Sequence, residues 1–213
     1  VERTVISQLI RSSGLYLTAI QSRGRKLFGA KIIPNRGAWL EFETDLDSVI
    51  YVKIDRKRKV PVTCLLRLFG LENKESILKA FANVDTGEIK YIEKTLAKDV
   101  ATTRSEALVE IYKRIRPGDL ATPENARGLI EGMFFREDRY DLGEVGRFKL
   151  NQRLNRASKE ADTKSRLLSL DDLIDVVKLI ISSNNNEAAE PDDIDHLSNR
   201  RVRAVGELLQ NRL

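Results

Sequence analysis

The sequence is poor in the residues that most often mark a cofactor, metal or redox site. Its 213 residues include one cysteine, Cys64, and one histidine, His196. An internal disulfide and a zinc site built from cysteine and histidine are therefore excluded, and a single cysteine is typical of a reducing compartment. The glycine loops GxGxxG and GxxxxGK[ST] are absent as well, which excludes the nucleotide-binding motifs that depend on them.

Long apolar runs and targeting signals are also missing. No stretch approaches the ~18 apolar residues of a membrane span, so no membrane partner is expected. The chain begins Val1-Glu2-Arg3 without a signal-peptide pattern, and its one methionine is Met133. This pattern favours an excised piece of a longer protein.

What the sequence does have is charge. Lysine and arginine number 37 against 32 aspartates and glutamates, which gives a net charge of +5 at a hydrophobic content of 41%. The chain is long enough for one large or two small domains with a buried core. Its mild basicity permits a polyanion partner without requiring one, so the clustering of the charges matters more than their sum.

Alternating apolar and polar residues predict antiparallel strands near the N-terminus, at residues 15–20, 27–33, 39–44 and 49–55. The last two runs flank a short Asp/Ser turn and predict a hairpin. Trp39 falls on the same side as the glutamates of its run, and we interpret it as a partly buried packing residue. Residues 1–12 carry apolar side chains at helical spacing and predict a short amphipathic segment.

Helical periodicity dominates after residue 60. Thr103 and Glu106 form a capping-box pattern, and Thr122-Pro123 has the cap and first-position proline in their preferred order. Residues 135–154 are less regular. The predicted fold class is α+β, with N-terminal antiparallel strands and a hairpin followed by a predominantly helical region. The predicted helices are residues 61–69, 73–81, 103–115, 123–134, 170–181 and 201–213.

Residues 192–207 (DDIDHLSNRRVRAVGE) concentrate hydrogen-bonding side chains. The pattern Asp-Asp-x-Asp at 192–195 could bind magnesium, but aspartates before a helix are favoured for electrostatic reasons alone, and we prefer that interpretation. The arginines at 200, 201 and 203 offer rigid donor forks for phosphate or guanine. From the pattern alone, a nucleic-acid contact and a salt-bridged surface helix remain equally supported.

Two other groups of basic residues have open interpretations. The run Arg56-Lys57-Arg58-Lys59 must be solvated or face an anion, because four like charges repel one another. Arg11 is a lone charge before a glycine turn, and its local pattern indicates solvated surface.

Six ordered blocks of the chain resemble the β-subunit family of bacterial DNA-directed RNA polymerases. The match extends over essentially the whole sequence. The blocks are residues 5–14 (VISQLIRSSG), 31–42 (KIIPNRGAWLEF), 52–61 (VKIDRKRKVP), 106–118 (EALVEIYKRIRPG), 139–147 (RYDLGEVGR) and 192–207.

The resemblance implies a lobe domain at residues 15–190, with flanks from the neighbouring protrusion domain at residues 1–14 and 191–213. It implies a wall of the DNA cleft that contacts downstream and non-template DNA. The whole enzyme would be a nucleotidyltransferase, while this segment would be non-catalytic and without a cofactor, its magnesium being bound elsewhere. The implied partners are DNA, the α, β′ and ω subunits, sigma factor and transcription regulators, in the cytoplasm at the nucleoid. The alternative is a docking platform for sigma or regulators.

The resemblance also implies a pocket for a flipped non-template base, preferably guanine. Ser13 and Ser198 flank this pocket where the family usually has proline and glycine, and Arg212-Leu213 replaces the usual glutamine-phenylalanine. The implied pocket residues are Arg11, Ile194, Asp195 and Arg200. The expected phosphate contacts are Arg56, Lys57, Arg58, Lys59, Arg201 and Arg203.

Overall fold

The computed structural model describes residues 1–156 and 165–210, and it places strands first and helices after them. This confirms the predicted α+β class and the order of its two regions. The strands are β1 (Gln8–Arg11), β2 (Gly14–Ser22), β3 (Arg25–Ile33), β4 (Leu40–Thr44), β5 (Ile50–Ile54), β6 (Val60–Pro61) and β7 (Arg200–Arg203).

Helices predominate from residue 62 onward, and the predicted caps are present. The Thr103 hydroxyl accepts the Glu106 amide in a complete capping box, and Thr122 caps the helix that begins with Pro123. The helices are α1 (Val62–Leu68), α2 (Lys74–Phe81), α3 (Tyr91–Lys98), α4 (Arg104–Ile115), α5 (Pro123–Phe134), α6 (Gly143–Arg153), α7 (Leu170–Asn184) and α8 (Val205–Gln210).

Strands β2 to β6 form an antiparallel sheet in sequence order. The turn between β2 and β3 has two residues with positive φ, Arg23 at 48° and Gly24 at 76°, a backbone that suits the twist of a two-residue hairpin. In the predicted hairpin of β4 and β5, Phe42 lies opposite Val52 and both are buried. The alternation in the sequence therefore identified the inner face of the sheet.

One apolar core joins this sheet to the helices. Helix α7 packs on β3, α1 and α3 pack on β5, and α6 packs on β2. Phe42, Leu65 and Ile180 are among the core residues that are almost fully buried. Among the described residues, no helix is long and apolar enough to cross a membrane.

Strands β1 and β7 form a separate two-stranded antiparallel sheet, and this corrects two predictions. Residues 8–11 are extended although their apolar side chains repeat at helical spacing. Residues 200–203 are also extended, so the predicted helix over 201–213 was wrong at its start, and Val202 is 61% exposed. Helix α8 begins only at Val205, and residues 211–213 lie outside the described part. The two strands satisfy each other's backbone groups across about 190 residues of sequence, which a local periodicity does not reveal.

Helix α6 occupies most of the segment that was predicted to be irregular. The helix buries Gly146, Arg147 and Asn151 while Val145 and Phe148 are exposed. An apolar stripe is the sequence signal of a packed helix, and here the packed face carries glycine and polar residues with only one leucine among them. The inverted pattern explains why the helix was not predicted.

Cys64 is buried at the start of α1, and its thiol donates to the Asp99 carboxylate at 3.0 Å. Burial, followed by the bond to Asp99, raises the pKa of the Cys64 thiol well above its ordinary value. Up to about pH 8.5 the thiol is protonated in both states, and above it only the unfolded chain ionises. The free energy of unfolding should therefore fall by at most about 1.4 kcal/mol per pH unit above that pH.

Urea unfolding between pH 7 and 9.5 would measure this term, with Cys64→Ala as the comparison. The variant should lose the alkaline decline, and an equal decline in both proteins would contradict the assignment. In the wild type, iodoacetamide should label the thiol only after unfolding.

Candidate nucleic-acid interface

The small sheet brings the two ends of the chain together. Arg11 lies directly opposite Arg200 in the antiparallel register. The Ser12 amide donates to the Asn199 carbonyl at 3.0 Å, and the Arg203 guanidinium donates to the Gln8 side chain at 2.9 Å. Directly opposed residues of an antiparallel pair point to the same face, so Arg11 and Arg200 are neighbours on one face of the small sheet.

The segment before β7 is a folded loop and not the start of a helix. The Asp195 amide donates to the Asp193 carboxylate at 2.9 Å, and the Asn199 side chain donates to the Asp193 carbonyl at 2.6 Å. His196 accepts the Ser198 amide at 3.2 Å and thereby caps a single 3-10 turn, Leu197–Asn199. These bonds leave Asp195 at the surface.

A depression of about 910 Å³ lies between the small sheet and the outer face of the main sheet. Its wall combines many cations with the side chain of Trp39 and the carboxylates of Glu41 and Glu207. The cations that line the depression, called the basic depression below, are Arg11, Lys31, Lys53, Arg56, Arg201 and Arg203.

Trp39 has a different environment from the one predicted. It is half-buried, as expected, but it lines the basic depression, and the Arg56 guanidinium lies 4.7 Å from the centre of its ring. Arg56 itself has a positive φ of 58°, which turns the chain after β5. The sequence indicated this position. Trp39 and Glu41 are two residues apart in an alternating run, so both point to the same face of the sheet, and Glu41 also lines the depression.

Comparison with known proteins identifies the family of this chain. The chain matches the family described as RNA polymerase Rpb2, domain 2, over residues 11–203. The chain belongs to this family. It is also 47% identical to the DNA-directed RNA polymerase subunit beta of Chloroflexus aggregans, over 98% of this chain and 19% of that protein. The subunit beta of Dehalococcoides mccartyi is 47% identical over 99% of this chain and 17% of its own length. The chain thus spans less than a fifth of these relatives.

Within this Rpb2 domain, the cations of the basic depression are unequally neutralised. Lys31 pairs with Glu41 at 3.0 Å. Arg201 binds both carboxylate oxygens of Glu207 at 2.7 Å, and this guanidinium lowers the pKa of Glu207 below its ordinary value. Lys53 pairs with Glu43, which lies outside the depression.

Three other cations of the basic depression remain available to an anion. In the described part of the chain, Arg11, Arg56 and Arg203 form no ion pair. The Nε–H group of Arg203 is buried and donates to no partner in that part of the chain. Unpaired arginines next to an aromatic ring suit a ligand that combines phosphate with a planar group.

The four basic residues 56–59, all expected to contact phosphate, do not form one patch in the structure. Arg56 turns into the basic depression, whereas Lys59 pairs with Asp45 at 2.8 Å and lies 4.2 Å from the centre of the Tyr51 ring. Lys57 and Arg58 between them are exposed. Only the first residue of the run therefore shares a surface with Arg201 and Arg203.

Two of the aspartates that suggested a magnesium site accept hydrogen bonds from different partners. Asp192 accepts the Leu17 amide at 2.7 Å and the Arg153 guanidinium at 3.1 Å, while Asp193 accepts the Asp195 amide. Among the described residues, no group of three or more acidic, histidine or cysteine side chains is placed to hold a metal ion. The carboxylates of Asp192 and Asp193 accept hydrogen bonds that fold the loop, and this arrangement does not fit a magnesium ion.

Proposed function

We propose that this chain is the part of a bacterial RNA polymerase β subunit that forms a wall of the DNA cleft and contacts downstream and non-template DNA. The observation that carries the proposal is the basic depression, which lies directly beside the Arg11–Arg200 pair. In this proposal residues 15–190 are the lobe domain, and residues 1–14 and 191–213 are flanks from the protrusion domain. The separate sheet of β1 and β7 supports that division.

The chemistry of Asp195 favours one base. Its carboxylate only accepts hydrogen bonds, and it is exposed on the loop beside β7. Guanine presents two adjacent donors on its Watson–Crick edge, which a carboxylate can accept together, whereas backbone phosphate would repel it. We therefore assign Arg11, Ile194, Asp195 and Arg200 to a pocket for an unpaired guanine, with the arginines contacting base, sugar or phosphate.

The basic depression suits the single strand that continues from such a base. Sequence-independent binding of single strands combines a positive groove with aromatic rings on which bases stack. Trp39 supplies a ring, and Arg56, Arg201 and Arg203 supply the positive charge. Lys57, Arg58 and Lys59 would add phosphate contacts at the margin.

The remaining roles follow from membership of a polymerase. The relatives are named as one subunit, so we infer contacts with the α, β′ and ω subunits and with sigma factor, in the cytoplasm at the nucleoid. The segment itself would not catalyse nucleotidyl transfer, and the magnesium of the reaction would be held by another part of the enzyme. Its contribution is to bind and orient DNA.

A second candidate function is protein docking, for sigma or a transcription regulator. It is favoured by the exposed side chains of Val145 and Phe148, which are 55% and 63% exposed and lie three residues apart on α6. Apolar side chains at this spacing are a typical contact for a partner protein. Both functions could be carried by different faces.

The decisive test compares Asp195→Ala with wild type in the assembled polymerase. Templates would differ only in one unpaired non-template base, and the lifetime of the polymerase–DNA complex would be measured with a competitor. In the variant the preference for guanine should fall about tenfold, which is the usual discrimination of a bidentate contact. Because no described residue donates to this carboxylate, folding should be unaffected.

Asp47→Ala is the matched control, since Asp47 is an exposed aspartate in the turn between β4 and β5. It should retain the full preference. A wild type without guanine preference, or an unchanged preference in Asp195→Ala, would refute the pocket.

A further inference from the structure

Helix α6 lies against both halves of the proposed pocket. A Cβ atom added to Gly146 would be 3.0 Å from the Cβ of Ser13, so the helix backbone is close to the chain that follows Arg11. One turn later, the Lys149 side chain crosses Gly14, where an added Cβ would be 2.9 Å from the lysine Cβ. Gly14 also has a φ of +147°. Both close approaches therefore depend on glycine.

The same face of α6 binds both ends of the loop that carries Asp195. The Lys149 ammonium donates to the Ser198 carbonyl at 2.7 Å. Four residues further on, the Arg153 guanidinium donates to the Asp192 carboxylate at 3.1 Å. Residues four apart on a helix are neighbours on its surface, so one helix face determines the distance between the two ends of the loop.

The apolar core does not hold this part of the chain. None of residues 191–210 is buried, so the position of the loop depends on polar contacts. Asp192 is further fixed to β2, because its amide donates to the Leu17 carbonyl at 2.9 Å and its carboxylate accepts the Leu17 amide. Ile194 and Asp195 lie between the two points of attachment.

We infer that Lys149 and Arg153 are positioning residues for the base pocket, which fix Ile194 and Asp195 relative to Arg11 before DNA binds. The inference rests on the proposed function. A loop already held in its binding conformation loses less conformational entropy on binding, and the affinity for the preferred base rises accordingly. Lys149 suits this role because its aliphatic part packs on Gly14 while its ammonium reaches the loop.

The test uses Lys149→Met in the assembled polymerase. Methionine preserves the packing on Gly14 and removes the donor to the Ser198 carbonyl. The preference for a non-template guanine should fall about threefold to tenfold, as expected for the loss of a charged donor, while complexes on templates without that guanine keep their lifetime. Lys149→Arg, which retains a donor, should restore most of the preference, and Lys113→Met on the exposed side of α4 should leave it unchanged.

A second measurement reports on the loop without DNA. Amide hydrogen exchange at residues 192–199 of the free polymerase should accelerate in Lys149→Met. It should also accelerate in Asp192→Asn, which weakens the bond to Arg153 and keeps an acceptor for the Leu17 amide. Faster exchange with an unchanged guanine preference would overturn the positioning role.

Asp195→Ala separates this inference from the proposed function. If Asp195→Ala loses the guanine preference and Lys149→Met does not, the positioning role is wrong and the pocket stands. If Asp195→Ala has no effect, the pocket fails and the positioning role fails with it.

Discussion

Replacing Asp172 by alanine is expected to destabilise the folded chain by about 3–5 kcal/mol, the usual cost of removing one partner of a buried ion pair. Asp172 is fully buried at the start of α7, and Arg147 of α6 is 2% exposed. The Arg147 guanidinium contacts both carboxylate oxygens at 2.9 Å, and Arg156 adds a contact at 2.7 Å. Asp172 also accepts the Ser169 amide in the capping box. The substitution leaves Arg147 buried beside no anion.

Urea unfolding would measure this loss, with Asp171→Ala as the matched control. Asp171 is exposed in the same helical turn, so its replacement should cost only the helix-end contribution of about 0.3–1 kcal/mol. The double variant Arg147→Met/Asp172→Leu should be less destabilised than the sum of its single changes, because neither charge is then left alone. Equal losses in Asp171→Ala and Asp172→Ala would contradict the buried pair.

The same ion pair shows what the sequence could not reveal. A buried arginine next to glycine gives α6 no apolar stripe, and the partner of Arg147 lies 25 residues away, beyond the reach of a local pattern. The β4–β5 hairpin was predictable, because Phe42 and Val52 alternate with half-buried residues along adjacent strands. Local alternation and capping patterns identify elements whose stabilising partners are near in sequence. They do not identify elements that depend on distant polar contacts.

The candidate site was likewise predictable from the sequence only in part. The charge of residues 192–207 indicated a contact surface, but the pattern alone left a salt-bridged helix equally supported. The resemblance to known family motifs assigned Arg11 and Arg200 to one pocket, and in the structure the two are cross-strand neighbours. Trp39 was assigned to packing, because the strand pattern placed it on the face of Glu41 but did not show that Arg56 lies against its ring.

Removing the unpaired positive charge of the basic depression should have the largest effect on DNA binding. The variant Arg11→Gln/Arg56→Gln/Arg203→Gln replaces each guanidinium by an uncharged polar amide and eliminates three cations that have no ion pair in the described residues. For single-stranded DNA, the slope of log affinity against log salt should shrink by about 2, which corresponds to about a 100-fold loss of affinity near 0.1 M salt. Titrations of the assembled polymerase at several salt concentrations measure both quantities.

The control must change the net charge equally in another place. Arg114, Arg116 and Arg127 belong to the α4–α5 region, and their side chains are 38%, 56% and 65% exposed. Their triple change to glutamine should leave the salt slope near that of the wild type, because distant exposed charges are screened within about 10 Å at 0.1 M salt. Equal slopes in the two triple variants would mean that net charge alone attracts DNA. A reduced slope only in the Arg11, Arg56 and Arg203 variant would locate the phosphate contacts in the depression, beside the loop that carries Asp195.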